Sequence, residues 1–174
     1  SAVAAALGAF DGRLDVLVNN AGIALRKNSD EVTAAEIDEL FAVNVRSALL
    51  ACGAALPAMV AAGSGSIVNI SSISVLVNAP RFSAYVASKA ALDAWTRCAS
   101  SEYADQGVTF TTVNMPLVRT PMTAPTKIYD NMPLLKPEEA ADMIIQACID
   151  KPVRVATRLG TFGEILHAAA PRIT

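Results

Sequence analysis

The stretch Ala48–Ile70, ALLACGAALPAMVAAGSGSIVNI, decides the fold class of this chain. It begins as an apolar, alanine-rich helix, stops at Gly63–Gly65 and continues as the short apolar run Ser66–Ile70. A run this short, directly after a helix, is typical of a strand that is buried on both faces of a parallel sheet. Upstream, Thr33-Ala-Ala-Glu36 has the spacing of a capping box, which predicts one helix from about Ala34 to Ala61.

Helices and apolar strands alternate along the rest of the chain. The further strands are predicted at Asp15–Asn19, Val108–Asn114 and Val153–Thr157. The further helices are predicted at Ala2–Phe10, Ser83–Tyr103, Pro137–Ile149 and Leu159–Ala170. This order predicts a single α/β domain over residues 1–174, with a doubly wound parallel sheet and helices on both faces. Ligands bind such sheets at the carboxyl ends of the strands.

Composition excludes several classes of protein. Hydrophobic residues make up 53% of the 174 residues and charged residues 17%, which indicates a packed core rather than disorder. A net charge of -2 speaks against nucleic acid as a partner. The apolar run Ala48–Ala62 is broken by Gly53 and Pro57 and is shorter than the roughly 18 residues of a membrane span. We expect no membrane span and, since no secretion signal opens the chain, a cytoplasmic location.

Cysteine and histidine usage indicates no metal site. Cys52, Cys98 and Cys148 are scattered, which favours a reducing compartment and predicts that each is a small core residue. His167 is the single histidine, so a metal centre or a histidine-based triad is not expected.

The segment Tyr85-Val-Ala-Ser-Lys89 places a phenol and an ammonium on one face of a helix. A free phenol has a pKa of about 10, and a nearby positive charge lowers it. We expect Tyr85 to exchange a proton with a carbonyl or alcohol oxygen near neutral pH. Taken alone, the pair also fits a surface tyrosine and lysine that share a helix.

Two further polar residues raise the significance of this pair. Ser72 follows the strand Ser66–Ile70 and is expected to hold a substrate oxygen beside Tyr85. Asn44 lies inside an otherwise apolar helix, where an asparagine is unfavourable unless its side chain is hydrogen-bonded.

Together with Asn19-Asn20-Ala21-Gly22, these residues resemble in order and spacing the motif set of the short-chain dehydrogenase/reductase family. The resemblance covers essentially the whole chain. It implies a Rossmann-like fold and an NAD(P)(H)-dependent interconversion of a carbonyl and an alcohol by hydride transfer. It also implies that Tyr85 is the acid/base and that Ser72 orients the carbonyl. Lys89 would bind the nicotinamide ribose and lower the Tyr85 pKa, and Asn44 would hold a water of a proton relay.

The resemblance also implies a cofactor site formed by Asn20, Ala21, Gly22, Tyr85, Lys89, Pro116, Val118 and Thr120. Residues Asn114–Thr120 depart from the family pattern Asn-Pro-Gly, because Met115 replaces the proline and Pro116 the glycine. Proline fixes φ and removes a donor, so the family pattern does not define the backbone path there.

The glycine-rich turn that seats a pyrophosphate in this family does not occur in the sequence, nor does the residue that selects NAD or NADP. The sequence is therefore interpreted as the C-terminal portion of a longer catalytic domain. Of the two cofactors, the prediction favours NADP(H) over NAD(H).

The segments MPLVRTPMTAPTKIYD, KPEEAAD and VRVATRLG resemble the C-terminal reductase module of actinobacterial multifunctional acyl-CoA reductases. This resemblance implies a fatty aldehyde or acyl-CoA substrate. Apolar residues that flank the expected cleft either line a channel for an aliphatic chain or pack a loop over the core. They are Leu76, Val77, Pro80, Phe82, Leu117, Met122, Met132 and Leu134.

The sequence opposes two other functions. A catalytically silent family member that serves as a binding or scaffold module is opposed by the intact Ser72, Tyr85 and Lys89. An α/β hydrolase needs a GxSxG turn and a partnered histidine, and the sequence has neither.

Two long helices, Ala34–Ala61 and Ser83–Tyr103, are rich in alanine and suit close packing between subunits. With the family resemblance they predict a homodimer or homotetramer. The alternative is that these faces only cover the sheet.

Overall fold

Four strands form one parallel sheet in the order β1-β2-β3-β4. The computed structural model describes residues 2–77, 79–127, 129, 132–157 and 161–162. The strands are β1 Val16–Asn19, β2 Gly65–Ser72, β3 Val108–Met115 and β4 Arg154–Val155. The predicted α/β class with a parallel sheet is confirmed.

Helices connect successive strands. They are α1 Ala2–Ala9, α2 Ala34–Phe41, α3 Ser47–Ala61, α4 Ser83–Glu102 and α5 Pro137–Asp150. A π-helical turn, Ala42–Arg46, joins α2 to α3, and short 3-10 turns lie at Ile73–Val75 and Ala104–Gln106. The predicted helix Leu159–Ala170 and His167 fall outside the described residues, apart from 161–162.

Local signals account for several helix ends. Thr33 and Glu36 form the predicted capping box: the Thr33 hydroxyl accepts from the Glu36 N–H at 3.3 Å, and the Glu36 carboxylate accepts from the Thr33 N–H at 2.9 Å. Pro137 lies in the first turn of α5 as predicted. After α4, Gly107 takes a φ of 74°, which is the left-handed conformation that glycine adopts without strain.

Each face of the sheet packs against its own helices. On one face α1, α3 and α4 cover Ile67 and Phe110, with Cys52 and Met59 fully buried between them. On the other face α5 covers Val68 and Val113. The alternation along β2 and β3 therefore directs Asn69, Ser71 and Asn114 toward α4.

The prediction that all three cysteines are core residues is wrong for one of them. Cys52 is buried and Cys148, on α5, packs partly buried against the sheet, whereas Cys98 is exposed on α4. The outward face of α4 carries alanine and cysteine alike, so composition alone does not separate it from the inward face.

Within the described residues one helical stretch, Ala34–Ala61, is long and apolar enough to cross a membrane by length and composition. Its 28 residues include an apolar window of mean hydropathy 1.5, of which 33% is buried. Core helices of proteins without membrane spans meet the same criterion. Here Cys52, Ala55 and Met59 of this stretch pack against the sheet.

Candidate active site

A cleft of about 530 Å³ opens at the carboxyl ends of β1, β2 and β3. Its walls are the loop after β1, the end of β2, the first turns of α4 and the segment after β3. All the predicted site residues except Asn44 line it, namely Asn20, Ala21, Gly22, Ser72, Tyr85, Lys89, Pro116, Val118 and Thr120.

Tyr85 and Ser72 meet at one wall of this cleft. The Ser72 hydroxyl is in hydrogen-bonding contact with the Tyr85 phenol, which lowers the pKa of Tyr85. Burial of the ring raises that pKa by more, and nearby Tyr129 adds to the rise. The phenol is therefore protonated at neutral pH.

Two hydrogen bonds from Ser74 fix the position of the Ser72 hydroxyl oxygen. It accepts a hydrogen bond from the Ser74 hydroxyl at 2.8 Å and a second from the Ser74 N–H at 3.2 Å. Because both of these bonds are accepted, the single Ser72 proton is available to a group in the cleft.

Lys89 lies one helical turn beyond Tyr85, and its side chain is buried. Its ammonium donates to the Ile70 carbonyl oxygen at 2.9 Å. Burial lowers the pKa of Lys89 to about 8, and the charge of Asp93 acts in the opposite direction. The net pKa shift of Tyr85 is opposite to the predicted lowering, because burial raises the pKa by more than the hydrogen bond with Ser72 lowers it.

Asn44 lies behind the cleft, in the π-helical turn, and is buried. Its side-chain oxygen accepts from the Ile23 N–H at 2.8 Å, and its amide donates to the Ile23 carbonyl at 2.9 Å and to Ser88 at 3.0 Å. Ser88 in turn donates to the Tyr85 carbonyl at 2.7 Å. The expectation that Asn44 needs partners is confirmed, and its side chain connects the loop after β1 to Ser88 in the second turn of α4.

Gly22 is where Lys89 and Asn44 converge. A Cβ at this position would lie 3.2 Å from the Lys89 Nζ and 3.3 Å from the Asn44 Oδ1. The bare backbone leaves the Lys89 ammonium open toward the cleft, with one of its three protons donated to Ile70. A buried cation beside an unobstructed backbone fits the hydroxyls of a nicotinamide ribose.

The apolar residues that line the cleft are only some of those predicted to do so. Of the eight predicted lining residues, Phe82, Leu117 and Met122 face the cleft. Leu76 instead packs in the core, so the alternative interpretation holds for it.

Tyr129 is a wall residue that the sequence analysis missed. Its ring stacks on Phe82 at 6.4 Å, and Phe82 meets the Tyr85 ring edge-on at 6.3 Å. The segment after β3 has no periodicity, so no local signal marks Tyr129 as part of the site.

A second missed group lies beneath the cleft. Asn19 donates to Asn69 at 2.7 Å, and Asn69 donates to Thr96 at 2.8 Å, so one chain of side chains crosses from β1 through β2 to α4. Asp93, also on α4, accepts from Asn114 at 3.2 Å. Polar residues on the inward face of a buried helix are the signal that could have identified Thr96 and Asp93.

Comparison with known proteins gives matches over most of the chain. The sequence profile of the family "short chain dehydrogenase" matches residues 1–130. A fatty acyl-CoA reductase of Acinetobacter baylyi is 48% identical over 162 residues, which is 92% of this chain and 55% of that protein. A fatty acyl-CoA reductase of Mycobacterium tuberculosis is 39% identical over 164 residues, 92% of this chain and 56% of that protein.

The fold has solved counterparts. The crystal structure of a short-chain dehydrogenase from Streptomyces avermitilis matches with a TM-score of 0.82 and 32% identity, covering 99% of this chain and 71% of that one. Of the two fatty acyl-CoA reductases above, the match covers 55% and 56%, so this chain spans about half the length of the curated relatives it matches.

Proposed function

Since the chain belongs to the short chain dehydrogenase family of oxidoreductases, we propose that it reduces the carbonyl group of a fatty aldehyde or acyl-CoA, with Tyr85 as the proton donor. The observation that carries the proposal is the meeting of Tyr85 and Ser72 at one cleft wall, with Lys89 one turn deeper.

Ser72 and Tyr85 would each donate a proton to a hydrogen bond with the substrate carbonyl oxygen, in different roles. Ser72, held by Ser74, offers its proton to the carbonyl oxygen and orients it. Tyr85 carries a proton at neutral pH, because burial raises its pKa, and can donate it to the same oxygen as negative charge develops there. This protonated resting state suits reduction better than alcohol oxidation.

The family implies an NAD(P)-type cofactor, and we propose how this chain holds it. Lys89 would bind the ribose hydroxyls, Asn20–Gly22 would lie along the adenosine side, and Val118 and Thr120 would meet the carboxamide. The cofactor would supply the hydride to the carbonyl carbon. Preference for NADP(H) over NAD(H) remains a prediction, to be checked by comparing kcat/KM with the two cofactors.

The proposed substrate class rests on two observations. Relatives at 48% and 39% identity are named fatty acyl-CoA reductases. The cleft also presents Phe82, Leu117 and Met122, whose apolar surfaces suit an aliphatic chain.

The proposed assembly is a homodimer or homotetramer in the cytoplasm. Support comes from the apolar helical stretch Ala34–Ala61, of whose most apolar window about one third is buried. On α3 the Leu50 side chain is 67% exposed. Light scattering would give the mass in solution.

The test of the activity is the Tyr85→Phe variant of the full-length protein. We expect kcat for aldehyde reduction to fall by about 10²- to 10⁴-fold, because the proton donor is lost while the ring stays. The matched control is Tyr103→Phe, which removes a phenol at the far end of α4 and should leave kcat unchanged. A Tyr85→Phe enzyme of full activity would refute the role, and a wild type that reduces no carbonyl would favour the silent binding module.

A further inference from the structure

A cluster of polar atoms lies behind Lys89, where α4 packs on β2 and β3. Four buried side-chain polar atoms in the described part of the chain accept or donate no hydrogen bond, and three of them belong to Ser71, Asp93 and Asn114. Ser71 and Asn114 are direct neighbours in the β2–β3 register. The Asn114 amide donates to Asp93 Oδ2 at 3.2 Å and, more weakly, to the Ser72 carbonyl at 3.4 Å.

Asp93 is an unusual residue for this position. It is 2% exposed. Asp93 and Lys89, which is 5% exposed, are the two buried charged side chains among the described residues. One of its oxygens accepts a single hydrogen bond and the other none. A buried carboxylate so weakly hydrogen-bonded is costly unless a cation lies nearby.

Lys89 is the cation that fits this requirement. It precedes Asp93 by four residues and so lies on the same face of α4. The other elements around the pair offer no charge in competition: β2 and its end present Ser71 and Ser72, and β3 presents Asn114. The titratable neighbours are Tyr85 on α4 and Tyr129 across the cleft.

We propose that Asp93 is a positioning residue, whose carboxylate, held by Asn114, keeps the Lys89 ammonium charged and in place at the cleft wall. The inference rests on the proposed function of Tyr85 and Lys89, and adds the buried residues Asp93 and Asn114 behind Lys89 to the site. Asp93 acts through Lys89 and touches neither substrate nor cofactor.

Electrostatics supports the assignment. Burial lowers the pKa of Lys89 to about 8, and the Asp93 charge is the contribution that raises it. Without that charge we expect the pKa of Lys89 to fall further.

The test is the isosteric variant Asp93→Asn in the full-length protein. In the reduction direction, we expect the high-pH limb of the kcat profile to move down by about 0.5 to 1 pH unit. The Nζ resonance of Lys89, followed by NMR, should titrate at a pH lower by the same amount. Should this variant not fold, Asp93→Ser carries the same prediction.

Thr96→Val is the matched control. Thr96 lies on the same helix face, is buried, and bonds Asn69 and Leu92. Its loss should lower Tm and leave both the pH profile and the Lys89 titration unchanged.

The outcomes separate the two proposals. An Asp93→Asn protein with the wild-type pH limb and the wild-type Lys89 titration would overturn the role of Asp93, even if Tm falls. A wild type without carbonyl reductase activity would contradict the proposed function, while the NMR titration, which needs no turnover, would still decide the role of Asp93.

Discussion

At the scale of single residues, the candidate site depends on how closely its groups approach one another. Gly22 lets the Lys89 Nζ and the Asn44 Oδ1 come within about 3.3 Å of the position that a Cβ would occupy. Contacts of 3.2 and 3.3 Å to a methyl group are tight, so each neighbour would have to move by a few tenths of an ångström.

We predict that Gly22→Ala lowers kcat by about tenfold, because it displaces the Lys89 ammonium relative to Tyr85. The fold should tolerate the change, since no positive φ is required at this position. Steady-state kinetics and a thermal melt measure the two effects.

Gly8→Ala is the comparison for this variant. Gly8 lies within α1 with open space around its Cβ position, so alanine should stabilise the fold by about 0.5 to 1 kcal/mol and leave kcat unchanged. A Gly22→Ala enzyme with wild-type kcat would show that Lys89 has room to move.

At the scale of elements, two helix ends meet where the strands begin. Gly63 follows α3, and Gly107 ends the 3-10 turn Ala104–Gln106 that comes after α4. The Gly107 carbonyl accepts from the Gly65 N–H at 3.2 Å. A Cβ on Gly107 would stand 2.0 Å from the Gly63 carbonyl oxygen, and φ at Gly107 is 74°. This contact sets where β2 and β3 start, and hence which of their residues reach the cleft.

Gly107→Ala is predicted to reduce the free energy of unfolding by about 2 to 4 kcal/mol, from left-handed strain together with the steric overlap. Urea denaturation of the variant gives the value. Gly12→Ala separates the two causes, because φ at Gly12 is 79° but nothing lies within 4 Å of its Cβ position. That variant should lose only about 1 to 2 kcal/mol, and equal losses in the two variants would exclude the overlap with Gly63.

At the scale of the whole molecule, burial of Lys89 makes stability depend on pH. Its pKa is lowered from 10.5 to about 8 in the folded chain. Between these values the unfolded chain keeps the Lys89 proton that the folded chain has lost, so the Lys89 contribution to stability rises with pH across this window. Burial raises the pKa of the Cys52 thiol from 9.0 to about 11, and this group acts in the opposite direction above pH 9.

The predicted gain from Lys89, in the absence of cofactor, is about 3 kcal/mol between pH 8 and 10.5. Denaturation of Lys89→Met at several pH values should show a flatter curve over this range, whereas Lys136→Met, which removes an exposed lysine, should keep the wild-type slope. A Lys89→Met variant with the wild-type slope between pH 8 and 10 would contradict the burial of a charged Lys89. Above pH 10 the raised pKa of Tyr85 opposes the trend.

The sequence predicted the element order, the capping box at Thr33, the helix end at Gly63–Gly65 and the helical spacing of Tyr85 and Lys89. All of these depend on backbone conformation and on neighbours three or four residues away, which one chain segment specifies by itself. Nine of the ten site residues, most of which the family resemblance implied, line the cleft, since they follow strands or lie in the first two turns of α4.

Only the tertiary structure decided what Asn44 binds, that Asp93 and Asn114 share a buried layer, and that the pKa of Tyr85 is raised rather than lowered. These properties depend on desolvation and on charges and hydrogen bonds brought together from separate elements. The sequence alone determined which groups are available, and packing decided which of them lose water and meet a partner.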